Sequence, residues 1–554
     1  MAINKVKNDD EIFQESIRFH QSGKLNDAQK GFDYLIKKYP NSPDLLNSLG
    51  TLNLQLGKDK NGCEYLEKSL KINSNQPMIS FNLANSYKNQ KNYSKAINFF
   101  EITIKKAPNY LDAYKKKGEL LTNLNHHKAA LDCFKKAIQL APEDKVILNG
   151  IGVNLLELED ANNALIYFKK CISIDETIAI FYNNAGLAEY KINAFNESIE
   201  SFNEAIKLSP NKGYFYSNRG LSYQALKKFE SALQDFNKCI SSEPDYPDAY
   251  WNKSLINLFQ GNYSEGWELY EHRWKSFAKK WVRSYSERLW LGNESLKNKI
   301  IFIYPEQGHG DFIQCYRYIA LLKKMQPKKI ILEVTKPFNE LISFQDDEVE
   351  VISSNTKVPK FDFYCPIMSL PYAFKTELSS IPNKCPYLFS NKLKPEKQKD
   401  KSKSKTNKLK IGVCWSGNPL HKNDHNRSMS INDMLELFSL PFEYHSLQKE
   451  VSQESLEILK KINVIDHHLS LENFFITAQL INKIDIIISV DTVIAHLAGA
   501  LGKKTFLLLP DKPSFLWMKD RKDSPWYPTI KIFRQETLGD WKKPLKEIIK
   551  DLKS

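Results

Sequence analysis

The sequence predicts an α-solenoid of stacked helix pairs followed by an α/β region in two parts. An apolar pattern with a period of 34 residues (for example 118 − 84) runs through the first half, and short apolar runs alternate with helical patterns in the second. One helix pair cannot bury its own apolar face, so successive pairs must stack. Strands that alternate with helices predict parallel sheets with helices on both faces.

The repeat is visible as columns of similar residues, each one period after the last. Small residues let two antiparallel helices approach closely, a bulky residue fills the gap to the next pair, and proline ends the second helix. The small column is Gly50, Ala84, Gly118, Gly152, Gly186 and Gly220, with Ser254 next in step, and the bulky column is Phe32, Leu66, Phe100, Phe134, Phe168, Phe202, Phe236 and Tyr270.

These columns resemble the tetratricopeptide repeat, and about eight repeats are expected within residues 1–280. The resemblance implies a superhelical scaffold whose concave groove holds an extended peptide or another protein. Four Asn lie two residues before the small column, where a carboxamide can donate to and accept from a peptide backbone. The alternative, that Asn is simply common at this position, stays open. The four are Asn82, Asn184, Asn218 and Asn252.

The second half contains two alternations of strands and helices, in residues 281–391 and 409–554. Between them, residues 392–408 hold eight Lys without apolar periodicity, which predicts a linker. Ligands of such sheets bind outside the carboxyl ends of the strands, so a cleft between the halves is the expected site. Strands are predicted at 300–305, 329–334, 348–352, 361–367, 410–418, 442–448, 464–466, 484–490 and 504–510.

Composition favours a globular protein of several domains. The chain has 554 residues, of which 42% are hydrophobic and 26% charged, and its net charge is 79 − 65 = +14. Much of this charge lies in 392–408, so we expect no nucleic-acid partner. No run of roughly 20 apolar residues is present, so we expect no transmembrane segment and a cytoplasmic location. The eight Cys form no Cys-x-x-Cys pair and are expected to be reduced.

One chemical motif follows the strand predicted at 484–490. Asp491 and Thr492 lie at the start of a helix, whose free N–H groups attract phosphate. Thr492 could add a hydroxyl, and Asp491 is placed to accept hydrogen bonds from sugar hydroxyls. Alternatively, Asp491 is only an N-cap and His496 a satisfied helix residue.

Two further motifs follow strands in the two halves. In G-H-G-D-F, residues 308–312, the glycines permit a tight turn, and Asp311 could take a proton from an attacking hydroxyl or act only as an N-cap. In the long loop 415–428, Lys422 and Arg427 could neutralise charge that develops on a departing diphosphate.

Together, E-Q-G-H-G-D-F, W-S-G-N-P, D-T-V-I-A-H-L-A-G-A-L-G and D-S-P-W-Y-P resemble the bacterial heptosyltransferase-type glycosyltransferases, in the form with an N-terminal tetratricopeptide array. This resemblance implies a GT-B architecture, a pair of Rossmann-like domains with a cleft between them. It also implies an inverting, metal-independent transfer without a cofactor, with the acceptor on the side of 281–391 and the nucleotide-sugar donor held mainly by 409–554.

The resemblance assigns roles to individual residues. Asp311 matches the proposed base, and the donor-binding positions are matched by Ser416, Gly417, Arg427, Asp491, Thr492 and His496. Val493 departs from the usual Gly of the motif, and about four extra residues precede Arg427.

The sequence therefore predicts a glycosyltransferase that moves a sugar from a nucleotide donor to a polypeptide or glycan acceptor, with a protein partner bound in the repeat groove. Two alternatives stay open. One is a scaffold with a degenerate, catalytically silent transferase fold. The other is a protein O-glycosyltransferase similar to the tetratricopeptide-bearing N-acetylglucosamine transferases.

Overall fold

A computed structural model describes residues 8–345, 347–391, 408–420 and 423–554. The chain forms two compact units, of which one runs to Ser242 and the other begins at Glu243. Most of the predicted linker, residues 392–407, and the predicted phosphate contact Lys422 lie outside the described residues.

The first unit is a series of antiparallel helix pairs. Each odd-numbered helix packs on the even-numbered helix that follows it. The described helices are α1 (Asp9–Gln21), α2 (Leu25–Lys38), α3 (Pro43–Gln55), α4 (Asp59–Ile72), α5 (Pro77–Asn89), α6 (Tyr93–Lys106), α7 (Leu111–Asn123), α8 (His127–Leu140), α9 (Lys145–Glu157), α10 (Ala161–Ile174), α11 (Ala179–Lys191), α12 (Phe195–Leu208), α13 (Gly213–Ala225) and α14 (Phe229–Ser242).

The small column allows aromatic rings to lie directly on the helix backbone. The Phe168 side chain is fully buried, and a Cβ added to Gly152 would lie 2.5 Å from its Cε1 atom. The pairs Gly186 with Phe202 and Gly220 with Phe236 repeat this contact. The predicted solenoid of helix pairs is therefore confirmed.

The Phe168→Ala substitution is expected to destabilise the first unit by about 3–5 kcal/mol, because it leaves a cavity between two helix pairs. Ile166→Ala is the matched control, since Ile166 lies on the same helix with 52% of its side chain exposed. Urea unfolding of both variants checks the difference. Equal loss of stability in the two would show that the ring does not hold the repeats together.

The second unit begins with another helix pair, α15 (Pro247–Gln260) and α16 (Tyr263–Tyr270), followed by 3₁₀ turns at Glu271–Lys275 and Phe277–Trp281. Tyr263, Trp267 and Tyr270 are buried in one hydrophobic core with the strands and helices that follow. This pair is therefore part of the α/β core.

A five-stranded parallel sheet follows, in the order β1-β5-β2-β3-β4. Its strands are β1 (Arg288–Leu289), β2 (Ile300–Tyr304), β3 (Lys329–Val334), β4 (Val349–Ser353) and β5 (Phe363–Pro366), with helices α17 (His309–Tyr316), α18 (Ile319–Lys324), α19 (Asn339–Ser343) and α20 (Leu370–Ala373).

The second sheet has six parallel strands in the order β11-β10-β9-β6-β7-β8. Its strands are β6 (Lys410–Cys414), β7 (Glu443–Ser446), β8 (Ile465–Asp466), β9 (Ile486–Val490), β10 (Lys504–Leu509) and β11 (Ile530–Arg534), and its helices are α21 (Asp424–Arg427), α22 (Leu435–Phe438), α23 (Gln453–Lys461), α24 (Phe474–Asn482), α25 (Val493–Ala500) and α26 (Lys542–Lys553). A C-terminal region with parallel sheets is thus confirmed.

Candidate functional site

Both sheets reverse their strand order beside a predicted motif. In the first sheet the chain proceeds from β2 to β3 and β4 on one side and returns with β5 on the other. In the second, the chain adds β7 and β8 on one side of β6, and then crosses over to add β9, β10 and β11 on the other side. A crevice opens at the carboxyl ends of the strands at such a switch point, and ligands bind there. The G-H-G-D loop follows β2, and the Asp-Thr pair follows β9.

The two switch points lie side by side because α17 and α25 pack on each other. A Cβ added to Gly310 would lie 2.7 Å from Cδ2 and 3.0 Å from Nε2 of His496. The glycine therefore lets the first turn of α17 rest on the imidazole ring. This contact brings Asp311 on one helix and Asp491 before the other to a common site.

Asp311 is partly exposed and lies in the first turn of α17, where its Oδ2 accepts a hydrogen bond from the Gly308 N–H at 3.0 Å. Burial raises the pKa of this carboxyl to about 6, the Gly308 N–H acts against the rise, and the charge of Asp491 adds to it. Asp311 is thus suited to accept a proton near neutral pH. The N-cap interpretation of Asp311 was wrong, because Gly308 is the N-cap of α17 and Asp311 closes the capping box from the third helical residue. The role of Asp311 as a base stays a prediction.

The start of α25 has the geometry of an anion site. Thr492 is its N-cap and adopts an extended conformation, and its side chain makes no capping bond. Its hydroxyl lies 3.2 Å from the Ser489 hydroxyl instead. The first N–H groups of a helix have no acceptor within it, and its dipole favours negative charge there.

Arg427 brings a positive charge to this helix start. Its Nη1 donates to the Asp491 carbonyl oxygen at 3.0 Å, and its Nε donates to Asp424 Oδ1 at 3.0 Å. A Cβ added to Gly417 would lie 2.5 Å from Arg427 Nη2, so only glycine lets the guanidinium lie there. The positive end of the helix dipole disfavours a cation there, so Asp424 offsets the Arg427 charge, and an anion bound at the helix start would be attracted by both Arg427 and the dipole.

The loop after β6 is held by a residue that the sequence interpretation missed. The Gln448 Oε1 accepts from the Trp415 and Ser416 N–H groups at 3.2 and 3.0 Å, and its Nε2 donates to the Ser416 carbonyl at 3.1 Å. Ser416 and Gly417 are thereby fixed beside Arg427. Gln448 is the last residue of the strand predicted at 442–448, and this polar residue at a strand end was the available signal.

A second missed group fixes the loop that leads to Asp311. The Arg273 and Glu306 side chains are both fully buried and form a bidentate ion pair of 2.7 and 3.0 Å. Arg273 also donates to the Ser369 hydroxyl at 2.7 Å. Gln307, the next residue, has φ +60° and exchanges hydrogen bonds with the Tyr270 hydroxyl. The turn after the last helix pair therefore supports the G-H-G-D loop.

Hydrogen bonds join some of the predicted groove asparagines. Asn218 Nδ2 donates to Asn183 Oδ1 at 2.8 Å, Asn183 to Asn184 at 3.2 Å, and Asn184 to Asn149 at 2.9 Å. The sequence interpretation missed Asn149 and Asn183, although the pair Asn183-Asn184 was visible. One period before Asn184 the residue is Gly150, so the ladder does not continue toward Asn82; Asn252 lies in the second unit.

In residues 8–345, 347–391, 408–420 and 423–554, no group of three or more His, Cys, Asp or Glu side chains is arranged to hold a metal ion. No helix within these ranges combines the length and the apolar content that a membrane crossing requires.

Family models match the first part of the chain. The tetratricopeptide repeat matches residues 43–76, 80–110, 111–144, 147–178 and 213–246, and the TPR repeat matches 186–227. Protein FlbA of Caulobacter vibrioides is 21% identical over 317 residues. The similarity covers 52% of this chain and 52% of FlbA, so the chain spans about half the length of that relative.

Solved structures of three repeat proteins are similar to this chain. They are YrrB, described as a TPR protein with an unusual peptide-binding site, a tetratricopeptide repeat protein from Parabacteroides merdae, and the C-terminal part of a TPR repeat-containing protein from Cytophaga hutchinsonii. YrrB is 22% identical, covers 35% of this chain and 100% of its own, and has a TM-score of 0.31. For the Parabacteroides protein the values are 20%, 48%, 98% and 0.34. For the Cytophaga protein they are 15%, 43%, 97% and 0.37. At these TM-scores the likeness carries no argument. The matched segments nevertheless identify the N-terminal part of the chain as tetratricopeptide repeats, a class typical of protein-interaction scaffolds.

Proposed function

We propose that the protein is a glycosyltransferase that moves a sugar from a nucleotide-diphosphate donor to an acceptor recruited by the repeats. One observation carries the proposal: two adjoining switch points present a carboxylate with a raised pKa on one side and, on the other, a helix start with the Arg427 guanidinium beside it. The strand order of the second sheet, which is that of a doubly wound nucleotide-binding fold, supports a GT-B pair of Rossmann-like domains.

The donor diphosphate is proposed to lie at the start of α25. Its charge would be shared by the first N–H groups of that helix, by Arg427 and by the loop of Ser416 and Gly417. These groups would also stabilise the diphosphate as it leaves, since fixed positive dipoles and charges stabilise developing negative charge. No cofactor or metal is part of this proposal. Asp491 is proposed to accept hydrogen bonds from the sugar.

Asp311 is proposed to be the general base. As its ionised form it would take the proton of the acceptor hydroxyl while that oxygen attacks the anomeric carbon and the bond to the diphosphate breaks. Attack from the face opposite the leaving group inverts the configuration. The 281–391 half would supply this acceptor side, and 409–554 would supply the donor side.

The repeat array is proposed to bring a polypeptide acceptor or partner to the enzyme. The linked carboxamides support this, because Asn149 and Asn218, the partly exposed ends of the linked row, can exchange their hydrogen bonds for bonds to a peptide backbone, while Asn183 and Asn184 are buried between them. A glycan acceptor stays an alternative for the same site.

Thermal-shift screening of the full chain against ADP-, GDP- and UDP-sugars tests the donor site. A ligand at 100 times its Kd is expected to stabilise the second unit by about 2.7 kcal/mol. Arg427→Ala should remove most of this shift. Arg288→Ala, which changes an exposed Arg in the first sheet, should show the same shift as the wild type. If no donor stabilises the wild type, the proposed donor site is wrong; stabilisation without turnover across acceptors would favour the silent scaffold.

A further inference from the structure

Arg317 carries a buried charge that no carboxylate pairs with in the described part of the chain. Its guanidinium instead donates to three backbone carbonyls, those of Gln314 at 2.8 Å, Trp526 at 2.5 Å and Pro382 at 3.3 Å, and to the Tyr387 hydroxyl at 3.0 Å. A buried charge without an ion pair is costly unless hydrogen bonds satisfy it. Arg317 therefore joins α17, the segment before residue 392 and the C-terminal half.

Each of the Tyr387 and Tyr527 hydroxyls has one proton to donate, and this determines the direction of their hydrogen bonds. The Tyr387 hydroxyl has one proton, and the Ile313 carbonyl accepts it at 3.0 Å. The Tyr387 oxygen also accepts from Arg317 and lies 3.5 Å from the Tyr527 oxygen. Tyr527 lies closer to Nδ1 of His496, at 3.0 Å. The Tyr527 proton is thus best placed to point at that ring nitrogen.

An imidazole that accepts at Nδ1 carries its proton on Nε2 when it is neutral. The His496 Nε2 lies 4.0 Å from Asp491 Oδ1, and Gly310 lies against the same edge of the ring. The Trp517 ring packs 5.1 Å from the imidazole, centroid to centroid. With the proton on Nε2, the N–H of His496 lies within electrostatic range of Asp491, the side chain proposed to hold the donor sugar, although 4.0 Å is too long for a direct hydrogen bond.

The surroundings of His496 keep it neutral. Burial lowers its pKa to about 3, and the positive charges of Arg317 and Arg427 act in the same direction. Arg317 lies 4.6 Å from the centroids of both the Tyr387 and Tyr527 rings, so the guanidinium and the two phenols form one packed group.

We propose that Tyr527, supported by Tyr387 and Arg317, is a positioning residue that fixes the Nε2–H tautomer of His496 and thereby orients the Asp491 carboxylate for the donor sugar. Its effect on donor binding rests on the proposed function, whereas the tautomer does not. The chain of groups joins both α/β halves, since Tyr387 and Arg317 precede residue 392 and Tyr527 follows it.

The tautomer is measured by ¹⁵N NMR of the full chain labelled at its 11 His residues, without any donor. His496→Gln identifies the signals of His496. We expect one protonated nitrogen, Nε2, and one unprotonated nitrogen, Nδ1, unchanged between about pH 5 and 8. A protonated Nδ1 or a charged imidazole in the wild type would overturn the proposal, whatever the protein catalyses.

Tyr527→Phe keeps the ring and removes the hydroxyl. It should mix the two tautomers, and it should raise the Kd of whichever ADP-, GDP- or UDP-sugar binds by about three- to tenfold, as expected for one lost hydrogen bond. Tyr387→Phe should change the populations of the two His496 tautomers in the same direction, but by less than Tyr527→Phe does. Tyr318→Phe is the control, since its buried hydroxyl contacts Thr376 at 2.7 Å instead.

Near-ultraviolet circular dichroism shows whether each variant keeps its fold. If folded Tyr527→Phe has wild-type His496 signals, or if Tyr318→Phe changes them equally, Tyr527 does not position His496. If the tautomer changes and no nucleotide sugar binds any of the proteins, Tyr527 still positions His496, but the proposed donor site is wrong.

Discussion

Asp311→Asn is expected to lower the rate of sugar transfer by a factor of about 10² to 10⁴, the usual contribution of a general base. The amide oxygen of Asn can still accept the hydrogen bond from the Gly308 N–H, so α17 should keep its start. Donor affinity should change little, because the proposed diphosphate contacts lie around α25. The measurement is product formation by mass spectrometry beside donor binding by calorimetry.

The same residue determines the expected pH dependence. Asp311 accepts a proton only when it is ionised, and its pKa is raised from 3.8 to about 6. The value of kcat/KM should therefore be constant above about pH 7 and fall tenfold per unit below about pH 6. If the base had an ordinary carboxyl pKa, kcat/KM would stay constant as the pH is lowered to about 4.

Asp362→Asn is the matched control for Asp311→Asn. Asp362 also accepts a backbone N–H, from Ile300 at 2.7 Å, but it lies at the amino end of β2, away from the proposed site. The Asp362→Asn substitution should leave the rate of sugar transfer within about twofold of the wild-type rate. Equal transfer by Asp311→Asn and the wild type would exclude Asp311 as the base.

Arg273→Met is expected to destabilise the second unit by about 3–5 kcal/mol, because it leaves the Glu306 carboxylate buried without its partner. Adding Glu306→Gln should recover part of this loss, since a neutral amide is less costly to bury. Urea unfolding of the second unit measures both variants. Transfer should fall with the single substitution, because Glu306 begins the loop that leads to Asp311.

Arg288→Met is the control for Arg273→Met. Arg288 is 72% exposed and lies 3.5 Å from Glu294, and such a surface pair contributes about 0–1 kcal/mol. If Arg273→Met cost no more than Arg288→Met, the turn after the last helix pair would not hold the loop.

The sequence was most informative where one pattern repeats. The spacing of Gly152 and Gly186, with Phe168 and Phe202 in a second column, sets both the helix pairs and their packing. The longer strands of the two sheets were also predicted, because their buried residues form continuous apolar runs. The edge strands β1 and β11 were missed, since β1 has two exposed residues and β11 alternates with a Lys.

The candidate site was predictable only in part. Asp311 and Asp491 follow apolar strands, so their place at strand ends could be expected, and their assigned roles stay predictions. Their proximity depends on how α17 packs on α25, which no local pattern encodes. Arg273 and Arg317 were missed because a buried arginine looks like a surface arginine until its partners, 33 and 209 residues away, are known.

The most direct test of the central claim is ¹H NMR observation of the reaction between the wild-type chain, the donor that stabilises it, and a peptide or glycan acceptor. The spectrum shows the anomeric configuration of donor and product together. We predict release of a nucleoside diphosphate and a glycoside whose anomeric configuration is opposite to that of the donor. A product with retained configuration, or no turnover of a donor that binds, would contradict inverting transfer by this protein.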